Sequence, residues 1–139
     1  MMLDKEYDLV IGTPSAKEYR QLRVAAGLSP RSADAAEAGL PNTIFGVVIH
    51  CRGRLVGMGR VVGDGGLSFQ LVDIAVEPEH QRRGLGKTIV RSLVDYVRKS
   101  ASTGAHVSLL ADGDAKHLYE KFGFVPTAPA SVGMAFVVE

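Results

Sequence analysis

Leu71-Val72-Asp73-Ile74-Ala75-Val76 runs into Glu77-Pro78-Glu79-His80 and then into Gln81-Arg82-Arg83-Gly84-Leu85-Gly86-Lys87-Thr88. Up to Val76 the stretch reads as a strand. From Leu85 the period is helical: Leu85, Ile89, Leu93 and Tyr96/Val97 share one face, and Lys87, Arg91, Asp95 and Arg98 the other. A strand therefore enters a helix through a glycine-rich basic loop. The two glycines allow close backbone approach. The first helical N–H groups lack an internal partner and point outward, and the helix dipole adds positive potential there. Arg82, Arg83 and Lys87 add formal charge, and residues 80–99 hold six Lys/Arg against one acid, Asp95. The loop is a cradle for a pyrophosphate.

Working outward, three strands precede the helix. Leu67 to Val76 is the third. Arg54 to Val62 is the second, before a Gly63-Asp64-Gly65-Gly66 turn. Thr43 to Cys51 is the first, joined to the second through an Arg52-Gly53 hairpin turn. Further upstream, Tyr7 to Ile11 is a short strand. Thr13-Pro14 reads as N-cap and first residue of a helix, and Ser15 to Glu18 offers a competing capping box. That helix runs to about Gly27 with Tyr19, Leu22 and Ala26 inside. Ser32 caps a second, short helix ending near Gly39, and residues 28–42, with Pro30, Gly39 and Pro41, are expected to be irregular and mobile. Downstream, 106–110 is a strand and Asp114 to Phe122 a helix closed by Gly123. Phe124-Val125 and Met134 to Val138 are expected to close the sheet. The order is β-αα-βββ-α-β-α-ββ, an α/β (α+β) chain with a mixed sheet and helices on its faces, in one domain over 1–139.

Two phosphate chemistries compete for the loop. Gly86-Lys87-Thr88 could end a P-loop, with Asp112 after strand 106–110 as a Mg²⁺ ligand. A P-loop needs glycine five residues before Gly86, and position 81 is Gln. Gln81-Arg82-Arg83-Gly84-Leu85-Gly86 fits Gln/Arg-x-x-Gly-x-Gly/Ala throughout. With Ile74-Ala75-Val76-Glu77-Pro78 before it, the chain resembles the GNAT superfamily of acetyl-CoA-dependent N-acetyltransferases. The resemblance implies the GNAT fold, with loop amides from Gln81 to Thr88 (Gln81, Arg82, Arg83, Gly84, Leu85, Gly86, Lys87, Thr88) holding the CoA pyrophosphate. It also implies that the backbone of Ile74, Ala75 and Val76 binds the pantetheine arm between two splayed strands, by strand-edge recognition.

Ala115-Lys116-His117-Leu118-Tyr119-Glu120-Lys121-Phe122-Gly123-Phe124 is similar to a second GNAT signature, Ala-x-x-Leu-Tyr-x-Lys-x-Gly-Phe. On it, Tyr119 is expected to protonate the departing CoA thiolate. A tyrosine's ordinary pKa of about 10 suits that donation. Many members carry Asn three residues before the Ala, where this chain has Asp112. The backbone N–H of Ile74 would polarise the thioester carbonyl, and Asp73, beside the arm-binding segment, is the candidate base, acting through water. Asp64-Gly65-Gly66, Gly123-Phe124-Val125-Pro126 and Gly133-Met134 are loosely similar to a small aralkylamine-type subgroup and favour a small primary amine. The resemblance also carries a homodimer among its implications.

Composition sets the exterior limits. In 139 residues, 46% are hydrophobic and 22% charged, with sixteen Lys+Arg against fifteen Asp+Glu for a net +1. That balance excludes bulk nucleic-acid binding. No apolar run approaches the ~20 residues of a membrane span, and Met1 to Glu6 shows no secretory pattern. A lone Cys51 excludes an intrachain disulfide and a Cys-rich zinc site, and a cytoplasmic setting is expected. His50, His80, His106 and His117 have no metal-ligand spacing, so no metal is expected. Arg60 and Asp64 sit where an acceptor could touch them. The expected activity is direct acetyl transfer from acetyl-CoA to a small-molecule amine. A non-catalytic CoA-binding module and a P-loop-like phosphoryl-transfer enzyme are the alternatives.

Overall fold

The computed structural model describes residues 3–139; Met1 and Met2, where the leader reading begins, lie outside them. The chain forms two compact units, one ending at Leu109 and one spanning Leu110–Glu139.

The first unit is a five-stranded mixed sheet in the order β1-β2-β3-β4-β5. The strands are β1 (Tyr7–Ile11), β2 (Phe45–Cys51), β3 (Arg54–Gly63), β4 (Ser68–Val76) and β5 (His106–Ser108). β1 to β4 pair antiparallel and β4 with β5 parallel. The β2–β3 hairpin turns on Arg52 and Gly53, both at positive φ (52° and 79°), as a two-residue primed turn requires. At the β3–β4 turn, Asp64 Oδ1 accepts from the N–H groups of Gly66, Leu67 and Ser68 at 2.8, 2.8 and 3.1 Å. Those bonds hold its carboxyl below the usual carboxylate range, and Asp64 is a turn cap.

The helices are α1 (Ala16–Ala25), α2 (Ala33–Gly39) and α3 (Leu85–Ser100). Between the two competing starts of α1 the capping box prevails: Ser15 Oγ accepts from the Glu18 N–H at 3.1 Å and donates to Glu18 Oε1 at 3.0 Å. Ser32 caps α2 in the same manner, accepting from the Ala35 N–H. Residues 33–42 are thus more regular than expected, because α2 passes into a 3-10 turn (Leu40–Asn42) and buries Ala36 and Leu40. One sheet face carries a core of Tyr19, Leu22, Ala36 and Leu40 against Val48, Leu55, Met58 and Ala75. On the other face α3 buries Leu85, Ile89, Val90, Leu93, Val94 and Val97, each contributing about 1.5–3 kcal/mol. β3 admits α3 through Gly59, where a Cβ would sit 2.5 Å from Ile89 Cγ2 and 3.0 Å from Leu93 Cδ1.

Two irregularities of β4 shape what lies beside it. The register with β3 passes from Arg60↔Val72 to Met58↔Ala75, so Asp73 and Ile74 together oppose Gly59 in a bulge. Asp73 takes φ +57° there, a conformation uncommon outside glycine. On the other side, β4–β5 pairing stops at Gln70↔Ser108, and the strand expected over 106–110 ends at Ser108. Among the described residues, 71–76 therefore have a ladder with β3 alone.

The second unit holds a 3-10 turn (Gly113–Ala115) and a helix, α4 (Lys116–Glu120). Gly123 follows at φ +96°. The two closing strands expected at 124–125 and 134–138 do not form. Pro126 and Pro129 lack an N–H for a ladder. Met134, Phe136, Val137 and Val138 lie exposed rather than on a half-buried face.

Candidate active site

The free edge of β4 leads straight into the basic loop. A 3-10 turn (Pro78–His80) ends β4, and Gln81 Nε2 donates to the Val76 carbonyl at 3.0 Å. Gln81 thus ties the loop to the strand end through its side chain, while its own N–H bonds the Pro78 carbonyl at 3.3 Å. Arg82 (φ +63°) and Gly84 (φ +84°) are both left-handed, and Gly84 is the N-cap of α3. The first helical bond runs from the Thr88 N–H to the Gly84 carbonyl at 3.0 Å, so the N–H groups of Leu85, Gly86 and Lys87 precede it and lack intrahelical acceptors. In the expected anion cradle, Gln81 to Thr88, the amides of Gln81 and Thr88 bond backbone carbonyls, and those of Leu85, Gly86 and Lys87 have no intrahelical acceptor. Within it, Arg83 Nη1 is held by Glu6 Oε1 at 3.1 Å and the Tyr7 hydroxyl at 3.0 Å. Tyr7 also bonds His80 Nδ1 at 2.7 Å.

On the α1 face of the bulge, Asp73 is enclosed. Arg23 Nη1 donates to its Oδ1 at 2.6 Å, Arg60 Nε to its Oδ2 at 2.8 Å, and the Tyr19 hydroxyl to Oδ1 at 3.0 Å. The Asp73 and Arg23 side chains are each only 6% exposed. Arg23 spends its other nitrogens on the Ser29 carbonyl and hydroxyl, and Arg60 Nη1 donates to Thr43 Oγ1 at 2.6 Å. Both guanidiniums lie about 6 Å from the Tyr19 ring centre, at 6.0 and 5.9 Å. Burial, and then the Asp73 charge, push the Tyr19 hydroxyl pKa up. Asp73, the candidate base, thus has both carboxylate oxygens engaged by charged donors and clamps the bulge.

In the second unit, Tyr119 is half-buried on α4, its ring edge-on to Phe124 at 6.2 Å. Burial, and then the nearby Asp112 carboxylate, raise its pKa above the ordinary tyrosine value. Its hydroxyl therefore stays protonated across the neutral range. Ala115, Leu118 and Phe122 are half-buried beside it, as their spacing predicts.

Arg23 is the site residue that sequence reasoning missed. Its signal was present: it stands four residues after Tyr19, on the inner stripe of α1, where a charge needs a buried partner. Among the described residues no group of His, Cys, Asp and Glu side chains could hold a metal ion, and no helix is long and apolar enough to cross a membrane.

Residues 41–126, more than half of the chain, match the acetyltransferase (GNAT) domain family, and the chain belongs to that family. It is similar to the crystal structure of a Staphylococcus aureus protein of unknown function described as a probable acetyltransferase. Identity is 43%, the TM-score 0.91, and the match covers 95% of this chain and 99% of that one. A GNAT family protein of Streptococcus pneumoniae shares the fold at 21% identity and TM-score 0.77, covering 95% of this chain and 98% of that one. Among curated relatives, an uncharacterised N-acetyltransferase, ycf52, of Pyropia yezoensis is 30% identical over 58% of this chain and 45% of its own length. A chloroplastic serotonin N-acetyltransferase of Oryza sativa is 33% identical over 60% of this chain and 41% of its own length. The chain spans less than half the length of these curated relatives.

Proposed function

We propose that the protein transfers acetyl from acetyl-CoA to a primary amine of a small molecule by direct attack, with Tyr119 as general acid. The carrying observation is the β4 edge, released from β5 at Gln70 and leading through the 3-10 turn at 78–80 to the N–H groups of Leu85, Gly86 and Lys87 at the start of α3. The residues fit the cosubstrate on two counts: a strand edge for an amide-bearing arm, and left-handed Gly84 with the N–H groups of Leu85, Gly86 and Lys87 for a pyrophosphate. Bound there, acetyl-CoA supplies an activated acetyl thioester. Ile74, Ala75 and Val76 orient the arm, and the N–H of Ile74 is the candidate donor toward the carbonyl. Asp73 fixes the bulge that sets Ile74 and is the candidate base, taking the amine's proton through water. Tyr119 holds the proton that the thiolate requires. The family match, 41–126, crosses the boundary at Leu109, which favours one domain built from both units. The exposed Met134, Phe136 and Val138 favour a homodimer, measurable by light scattering.

A thiol-release assay with a panel of amines tests the activity. Amine-dependent release of CoA supports it. Tight CoA binding with no release by any amine would make the protein a binding module instead.

A further inference from the structure

Beside the Asp73 clamp lies a cavity of about 150 Å³, lined by Tyr19, Arg31 and Arg60 and by Ala35, Ala36 and Gly39 of α2. It has two cations in its lining and no acid. Asp73, which the Tyr19 of the lining bonds, is already matched to Arg23 and Arg60. Counting Arg23, Arg31 and Arg60 against Asp73, the cluster carries an excess of two positive charges. Arg60 uses Nε on Asp73 and Nη1 on Thr43, and neither bond uses Nη2. Arg31 has Nη1 on Ser29 Oγ at 2.9 Å and stands exposed at the cavity rim. The cavity is also in register with the bulge: its Tyr19 wall donates to Asp73, the residue before Ile74.

We infer that this cavity is the acceptor pocket and that the acceptor is a small amine bearing a carboxylate, of the amino-acid class, with its anion on Arg31 and Arg60. The inference rests on the acetyl-transfer reading above. Size is compatible: a cavity of about 150 Å³ has room for a carboxylate and a few carbons. Guanidinium pairs with a carboxylate in a planar fork. Held that way, the anion lies on the α2 side, and the amine is directed along Tyr19 toward β4 at Ile74. A larger cavity of about 310 Å³ lies at the β2–β3 hairpin, where Arg52 and Arg54 are balanced by Glu18 and Glu77 and Arg54 pairs with Glu77 at 2.9 Å.

The test is kinetic. Amino acids, their carboxamides and the corresponding decarboxylated amines are compared as acceptors at equal concentrations of neutral amine, alongside calorimetry of acetyl-CoA binding. The carboxylates should have kcat/KM at least ten-fold above their amides, and Arg31→Gln should remove that preference by raising KM about ten-fold with kcat little changed. Arg31 takes no part in the Asp73 clamp, so this variant should fold. Arg60→Lys, which keeps the charge and loses the fork, should raise KM in the same direction. Amides or plain amines that match the carboxylates, or an Arg31→Gln variant with intact preference, would overturn the inference while leaving acetyl transfer standing. So would binding of acetyl-CoA with no carboxylate acceptor turned over. Failure to bind acetyl-CoA would remove both readings.

Discussion

Replacing Asp73 with alanine leaves Arg23 and Arg60 facing each other across the bulge with no counter-charge. Arg23 and Asp73 are each 6% exposed and Arg60 12%, and the pair distances are 2.6 and 2.8 Å. Removing one partner from a buried ion pair of this quality costs about 3–5 kcal/mol. That is a large fraction of the ~5–15 kcal/mol stability of a domain. For a chain of this size about 2–4 °C is lost per kcal/mol, so Tm should fall by roughly 6–20 °C. Urea unfolding followed by circular dichroism should show a lower midpoint with an unchanged slope. Asp73→Asn keeps the shape and one acceptor, and should lose less. An Asp73→Ala protein as stable as wild type to within about 0.5 kcal/mol, but with kcat abolished, would refute the clamp and leave Asp73 the role of base alone.

Other expectations are equally direct. Gly59→Val puts branched carbon where Ile89 and Leu93 already sit, and should cost about 1–3 kcal/mol by thermal or urea unfolding. Tyr119→Phe should lower kcat by about 10²–10⁴ with CoA affinity within a few-fold of wild type, and less so with a more acidic thiol leaving group; full kcat would leave Tyr119 a packing residue. Asp64 has a depressed carboxyl in the folded state. Its contribution is therefore present at neutral pH and lost as pH falls through that depressed value, and Asp64→Asn should flatten the acid limb of a stability–pH curve.

The parts of the site set by local chemistry were legible in the residues. Two glycines, three basic side chains and a strand-to-helix change of period defined the loop from 81 to 88, and Ser15 and Ser32 each announced a helix start. Gln81 was legible as a motif residue, but its use as a strap on Val76 depends on where the 3-10 turn at 78–80 brings it. The role of Asp73 was illegible for a similar reason. Its partners come from 50 residues upstream, on α1, and from the adjoining strand, and only packing brings them to one point. The tail failed in the opposite sense. Met134 to Val138 has strand-like content, but content alone supplies no neighbouring strand, and two prolines interrupt the approach.

The measurement closest to the central claim is a calorimetric titration with acetyl-CoA, without divalent cations, of the wild-type protein and of Gly84→Val. Gly84 sits at φ +84° at the head of α3, and a side chain there costs about 1–2 kcal/mol where the loop must approach the pyrophosphate. The account predicts saturable binding by the wild type and an affinity at least ten-fold weaker in a folded Gly84→Val. Equal affinity in the two proteins, or binding of ATP with Mg²⁺ and none of acetyl-CoA, would contradict it.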